Sequence, residues 1–215
     1  MNPRILPLLL AAASLLFAGC VPESINPLST PETSVIDPHL EGAFEAIAKR
    51  RDKDVTHVYW HFHYRIAGDS PKDKQEATNS LEIVRDTHLD TGQVFTVRYK
   101  ALATHIRGGS FLSYWDERTL ATDKGPVRCF FARYEVRNDG VLSVWLANGA
   151  AFAAAIKAGQ LHGKVTGPEG AVTAYLTDTT EQLLAFLATG DMEKLFGGLE
   201  EFIGDQPLVF HRLAH

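Results

Sequence analysis

The sequence has few of the features that mark disulfide-rich, nucleic-acid-binding or membrane-spanning proteins. Only two of its 215 residues are cysteines, Cys20 and Cys129, which excludes a framework of several disulfides. Its 21 basic residues are outnumbered by 26 acidic ones and form no long run, so we expect no nucleic-acid partner. The main apolar stretch, residues 6–17, is too short to cross ~30 Å of hydrocarbon as a helix.

Catalytic signatures are missing as well. The chain contains neither the Gly-x-Ser-x-Gly turn of serine hydrolases nor the His-Glu-x-x-His helix of zinc proteases. Residues 108–110, Gly-Gly-Ser, lack the Gly-Lys that completes a phosphate-binding loop. The carboxylates of Asp178 and Glu181 have the spacing of a helix capping box, which explains both. We therefore predict no catalytic residues and favour a non-enzymatic protein.

The chain nevertheless has enough apolar material to fold. Hydrophobic residues make up 45% and charged residues 22% of the sequence, which are ordinary proportions for a globular protein. No internal repeat occurs, and no linker-like segment interrupts the sequence after residue 38. We predict a single domain over residues 39–215.

Residues 1–19 have the organisation of a cleaved export signal. Arg4 supplies a positive start, the apolar stretch follows, and no acidic residue occurs before Glu23. The sequence at 15–20, Leu-Leu-Phe-Ala-Gly-Cys, resembles the lipobox of bacterial lipoproteins, in which small residues admit the signal peptidase before the cysteine. A leader followed by a small domain of this kind also resembles bacterial lipoproteins of uncharacterised families.

This resemblance implies that Cys20 becomes the lipid-modified first residue of the mature protein. Its sulfur would carry a diacylglyceryl group and its amino group an acyl chain such as palmitate, and two or more chains anchor a protein stably to a membrane. Val21, rather than aspartate, follows the cysteine. That pattern is similar to the one of lipoproteins sent to the outer membrane, where the domain would face the periplasm.

Residues 20–38 have the composition of a linker. Prolines at positions 22, 27, 31 and 38 alternate with small polar residues, and no aromatic residue occurs. Proline favours extended chain, and at ~3.3 Å per residue this segment would reach at most about 60 Å. We therefore predict a proline-rich tether that holds the domain clear of the membrane.

The domain is predicted to be mainly β-structure with helices late in the chain. The clearest strand is 55–66, in which Val58, Trp60 and Phe62 alternate with polar residues, as on the two faces of a strand. Asp139-Gly140 predicts a hairpin turn. Further strands are predicted at 42–49, 80–85, 93–105, 110–115, 127–137, 141–146, 172–177 and 207–212, and helices at 148–157, after Asp178 and at 191–196.

This order of elements indicates an α+β fold. Many consecutive strands suggest an antiparallel sheet curled into a barrel or half-barrel, with the helices packed at one end. The segment Leu-Glu-Gly-Ala-Phe at 40–44 resembles the place where lipocalins and related calycins carry Gly-x-Trp, with Phe44 in the position of the tryptophan. The resemblance implies a calycin-like barrel.

The polar face of the strand at 55–66 is the main candidate site. His61 and His63 would lie about 7 Å apart on one face and could share a metal ion. Zinc takes three or four ligands, so another group such as His105 would have to join them. If this face lines the barrel interior, it would instead contact a bound ligand, and if it faces water it is ordinary solvated surface. The face consists of His57, Tyr59, His61, His63 and Arg65.

Three functional hypotheses follow. The first is a membrane-anchored envelope lipoprotein whose domain binds a small or lipidic ligand, or an envelope protein partner. The second is a structural or assembly lipoprotein that acts through a protein surface, which a closed and filled barrel would favour. The third is a metal-binding domain that uses His61 and His63. Apart from such a metal, no cofactor is expected.

Overall fold

The computed structural model of the protein describes residues 21–50, 54–64, 79–89, 91–107, 109–118, 127–168, 172–196 and 208–213. The leader with Cys20 lies outside the described residues, and so does Arg65. Within these ranges the helices are α1 (Gly149–Lys157), α2 (Thr180–Thr189) and α3 (Met192–Leu195). The strands are β1 (Glu23–Ser24), β2 (Gly42–Arg50), β3 (Asp54–Tyr64), β4 (Ser80–His88), β5 (Val94–Ile106), β6 (Gly109–Asp116), β7 (Cys129–Val136), β8 (Val141–Leu146), β9 (Gly163–Thr166), β10 (Thr173–Leu176) and β11 (Leu208–Arg212).

Eight of these strands form a closed antiparallel barrel. Strands β2 to β8 pair in chain order, and β11 closes the ring between β8 and β2, with Phe210 opposite Leu142 and Arg212 opposite Phe44. A sheet with one apolar face can bury that face by closing on itself, which also removes its open edges. The predicted mainly β architecture, with a curled antiparallel sheet and late helices, is confirmed, and the barrel is closed.

The predicted hairpin is also confirmed. Residues 137–140 connect β7 to β8, and Gly140 has a φ of 81°, which only glycine adopts without strain. The two strands that alternation does not predict are β1 and β9. They have two and four residues, which is too few for a period of two to be recognised.

A second, smaller sheet is joined to the barrel at β7. Strand β1 pairs antiparallel with the start of β7 and parallel with β10, which pairs in turn with β9. Helix α1 packs on β9 and β10. A separate apolar core forms here, where Phe111 and Phe131 of the outer barrel wall meet Phe152 and Phe196. In the part of the chain that the structure describes, no helix combines the length and apolar character needed to cross a bilayer.

Residues 21–38 pack against the barrel, so the predicted free tether is wrong for this segment. The exposed fraction is 7% for Val21 and 0% for Leu28. The Leu28 N–H donates to Ser113 Oγ at 2.9 Å, and the Val35 N–H donates to the Ala103 carbonyl. Proline excludes helix from this segment but does not prevent apolar side chains from docking, and composition alone does not separate these cases.

The helix caps agree with the sequence for α1 but not for α2. Asn148 caps α1 as predicted, and its side chain accepts the N–H of Ala150. The capping box of α2 is formed by Thr179 and Gln182, one residue later than expected. Asp178 is 2% exposed, and its carboxylate accepts the backbone N–H and Nδ1 of His162 instead. The two boxes have the same three-residue spacing, and only the tertiary contact with His162 decides between them.

This assignment gives a local stability prediction. Thr179→Ala is expected to lower the free energy of unfolding by about 1 kcal/mol, because the first N–H groups of α2 lose their side-chain acceptor. Glu181→Ala, the matched control from the predicted box, is expected to change it by less than about 0.5 kcal/mol. Urea titration followed by circular dichroism measures both. A larger loss for Glu181→Ala than for Thr179→Ala would contradict this cap.

Candidate functional site

The histidine-rich face of β3 lies on the outside of the barrel. Phe62 is 0% exposed in the barrel core and Trp60 packs against this core, whereas the residue after Phe62, His63, is exposed. Alternate residues of a strand face opposite sides of the sheet, and the side with the more apolar residues is the one buried in the barrel interior. The interpretation of this face as an interior ligand-binding surface is therefore wrong.

Contacts on this outer face run from strand to strand. His57 Nδ1 lies 2.7 Å from Glu45 Oε1, and this hydrogen bond holds the pKa of the Glu45 carboxyl below its usual range, with a smaller contribution from Tyr59. His61 Nε2 lies 3.8 Å from Asp86 Oδ2. Such pairs between neighbouring strands are typical of solvated sheet surfaces.

The described residues do not complete a metal site around His61 and His63. No three His, Cys, Asp or Glu side chains among them are grouped so as to hold a metal ion. His105 is exposed near the end of β5, on the inward-facing side of that strand, and its Nε2 lies 3.9 Å from Asp37 Oδ2, so the barrel wall separates it from the histidines on β3. It cannot act as the third ligand that the sequence suggests.

The metal hypothesis has a direct test. We expect the double variant His61→Ala with His63→Ala to have the same zinc content as the wild-type protein, because two imidazoles without a third ligand bind zinc weakly. Inductively coupled plasma mass spectrometry after dialysis measures this, with His88→Ala as a control from the neighbouring strand. Loss of one zinc per chain in the double variant alone would restore the metal hypothesis.

One mouth of the barrel is closed by the segment that precedes β2. Leu40 is 0% exposed and belongs to the barrel core. The guanidinium of Arg212 lies 4.5 Å from the centre of the Phe44 ring and donates to the carbonyl oxygens of His39 and Glu41. The last strand therefore fixes this segment in place, and we refer to this mouth as the closed end.

The closed end contains a polar cavity of about 430 Å³ beside Asp37. The Asp37 carboxylate accepts hydrogen bonds from the Tyr134 hydroxyl at 2.9 Å and from the His39 N–H at 2.9 Å. Burial, together with the negative charge of Asp37, raises the pKa of Tyr134 and keeps its phenol neutral. Because these contacts tie the closing segment to the barrel wall, they account for Asp37 without a ligand.

The interior differs between the two ends of the barrel. Towards the closed end, Phe44, Phe62 and Phe210 are at most 2% exposed and fill the space between the strands. Towards the other mouth the inward-facing residues pack on this core but are only partly buried, and for this reason we call it the open end. These residues include Val58, Trp60, Arg85, Tyr99 and Tyr114.

Two polar atoms in this half have no partner. Among the described side chains, only Trp60 Nε1 and Arg85 Nε are buried nitrogen or oxygen atoms without a hydrogen bond. A buried donor left unpaired costs about 1–3 kcal/mol. Most buried polar groups in proteins are paired with protein or water, so this pair marks the open half as the candidate site.

Arg85 departs from the inside–outside alternation of its strand, and this departure is visible in the sequence. Leu81, Ile83 and Arg85 share one parity on β4, and the first two are 0% and 4% exposed. A charged residue in register with two core residues is an exception to inside–outside alternation, and such exceptions concentrate at functional sites. Which side chain it meets across the sheet depends on strand pairing, which local sequence does not reveal.

Cys129 is a buried cysteine on β7. It is 1% exposed, and its Sγ lies 3.5 Å from the carbonyl oxygens of Ser24 and Asn26. Burial raises the pKa of the thiol to about 12, so almost no thiolate is present at neutral pH. Cys129 therefore contributes packing between β7 and β1 rather than chemistry.

Comparison with models of protein families, with curated proteins and with solved structures gave no match. The geometry of the barrel interior and the residues of the leader are therefore the observations on which a function has to be built.

Proposed function

We propose that this protein is a membrane-anchored envelope lipoprotein whose barrel binds a small or lipidic ligand without chemical conversion. The observation that carries the ligand-binding part is the unequal filling of the interior. The half towards the closed end is packed with fully buried aromatic rings, whereas the half towards the open end has partly exposed aromatic residues and two unpaired donors. A barrel with a purely structural role gains nothing from such donors.

The lining of the open half suits ligand binding. Ligand sites are mostly apolar, with a few polar groups that orient the ligand. Burial raises the pKa of Tyr99 and of Tyr114, so both phenols remain neutral and can donate hydrogen bonds at neutral pH. Tyr99 and Tyr114 also pack edge to face, with ring centres 5.8 Å apart, which gives the lining a fixed shape.

The proposal of a lipid anchor is supported by the leader sequence. The lipobox-like residues up to Cys20 support lipidation, and Val21 supports the outer membrane, with the domain facing the periplasm. The test is metabolic labelling with palmitate of the full chain and of Cys20→Ala, followed by mass spectrometry of the purified protein. We expect label and diacylglyceryl mass on the wild-type chain only. Equal labelling of both chains, or of neither, would remove the anchor from the proposal.

Ligand binding has an independent test. All described strands and helices lie within residues 21–213, so the chain from residue 21 onwards contains the whole barrel. We expect native mass spectrometry of this soluble chain to show a retained small-molecule or lipid mass that is lost on denaturation. A clean apo mass, together with no binding of added amphiphiles, would favour the structural or assembly role, which crosslinking to envelope proteins would then examine.

A further inference from the structure

We infer that the ligand is an amphipathic oxyanion whose carboxylate or phosphate group is bound by Arg85 and Trp60. The inference rests on the proposed ligand-binding function and names the class of ligand for that same site. It is carried by the position, the hydrogen-bonding capacity and the charge of these two side chains.

Trp60 and Arg85 are direct neighbours on two adjacent strands, on the inner face of the barrel wall. They occupy opposite positions in the pairing of β3 with β4, which places their β-carbons about 4.5–5.5 Å apart. The indole Nε1–H is a donor only, and a guanidinium has five donors and no acceptor. The two side chains therefore cannot satisfy each other, and both require an acceptor from a third group.

The charge of Arg85 specifies the kind of acceptor. In the described ranges no carboxylate forms an ion pair with Arg85, whose guanidinium carbon lies 5.7 Å from the centre of the Tyr99 ring. The carboxylate of Asp116, on the strand next to Tyr99, is bound by Arg118, with Nη2 at 2.7 Å and Nε at 3.1 Å. Arg85 acts on this carboxylate only from beyond ion-pair distance, as the smallest contribution to the lowered pKa of Asp116. A carboxylate or phosphate matches the fork of Nε–H and Nη–H on one edge of a guanidinium.

The residues around Trp60 and Arg85 indicate that the rest of the ligand, behind its anionic group, is apolar. Phe62 and Phe210 fill the interior on the closed-end side of Trp60, and the Phe210 ring centre lies 4.8 Å from that of Trp60. A bound molecule must therefore extend towards the open end. On that side the inward-facing positions of β5 beyond Tyr99 are Val97 and Phe95, and Phe95 is 43% exposed. This lining suits a short alkyl or aromatic chain behind the anionic group.

The experiment compares ligands that have the same ten-carbon chain and differ in their head group. The soluble chain from residue 21 is stripped of bound molecules on a hydrophobic resin and titrated with decanoate, decyl phosphate and decan-1-ol by isothermal calorimetry. We expect at least one anion to bind with one molecule per chain and at least about tenfold more tightly than the alcohol. Which of the two anions binds better distinguishes a fatty-acid source from a phospholipid-like source.

Substitutions of Arg85 and Trp60 then test whether these two donors bind the anion. Arg85→Met, which keeps side-chain volume, is expected to weaken binding of the anion by about tenfold or more, and Trp60→Phe, which keeps an aromatic ring but removes the N–H, by a smaller factor. Arg98→Met is the matched control, because Arg98 is exposed on the outer face of the neighbouring strand β5 and is expected to leave binding unchanged. Thermal unfolding shows whether each variant is folded, and Trp60→Phe tests the site if Arg85→Met is not.

Three results would overturn the inference. One is equal affinity for decan-1-ol and the anions, and another is unchanged anion binding in both site variants. The third is retention of a neutral molecule by the wild-type chain that no anion displaces. In each case the barrel still binds a ligand and the proposed function stands. Absence of any retained mass and of any titrated binding would reject both together.

Discussion

Replacing Phe62 by alanine is expected to lower the free energy of unfolding by about 3–5 kcal/mol. Phe62 is 0% exposed, and its ring packs edge to face on Phe44 with ring centres 5.7 Å apart. The ring fills the centre of the barrel, so its removal loses apolar burial and leaves a cavity that rigid strands cannot close. Guanidinium titration followed by tryptophan fluorescence measures the change.

His63→Ala is the matched control for this experiment, because it lies one residue further along β3 on the outer face. We expect a change within about 0.5 kcal/mol, as for most exposed positions. A slip of one residue in the pairing of β3 would exchange the two faces. Comparable losses in both variants, or a larger loss for His63→Ala, would show that the assignment of inside and outside is incorrect.

Replacing Leu28 by alanine is expected to cost about 2–5 kcal/mol, although it lies in the proline-rich segment that composition assigns to a tether. Leu28 is 0% exposed and belongs to the second core, and its N–H donates to the buried hydroxyl of Ser113. Thermal and urea unfolding of the chain from residue 21 measure the effect. For a free tether the same substitution would leave the unfolding transition where it is.

The control for Leu28 comes from the same segment. Ile36 is 57% exposed, so Ile36→Ala removes the same side-chain volume as Leu28→Ala but little buried surface. We expect it to change the free energy of unfolding by less than about 0.5 kcal/mol. Equal small effects at Leu28 and Ile36 would mean that this segment contributes nothing to the fold.

The barrel could be predicted from sequence because it has many consecutive strands, some of which are long and show clear alternation. In β3, Val58, Trp60 and Phe62 fix one face as apolar, and a chain of many such strands buries this face most simply by curling. The hairpin at Gly140 and the cap at Asn148 were equally predictable, since each depends on the conformational or hydrogen-bonding preference of one residue. Local chemistry was sufficient at all of these places.

The candidate site could not be predicted in the same way. Trp60 and Arg85 are 25 positions apart in the chain, and only the register of β3 with β4 makes them neighbours. The histidines at 61 and 63 attracted a metal interpretation because His-x-His is visible locally, whereas an unpaired donor is visible only when its surroundings are known. Sequence patterns of this kind favour motifs within one element over contacts between elements.

The burial of Val21 limits how the protein would lie on a membrane. Consecutive α-carbons are about 3.8 Å apart, so a lipid-bearing Cys20 would be that close to a residue whose side chain is packed in the second core. The domain would then have no stand-off distance and would rest on the head groups, held at the outer side of the wall where β1 joins β7. An amphiphile leaving the open end would emerge beside the lipid surface instead of crossing tens of ångströms of periplasm.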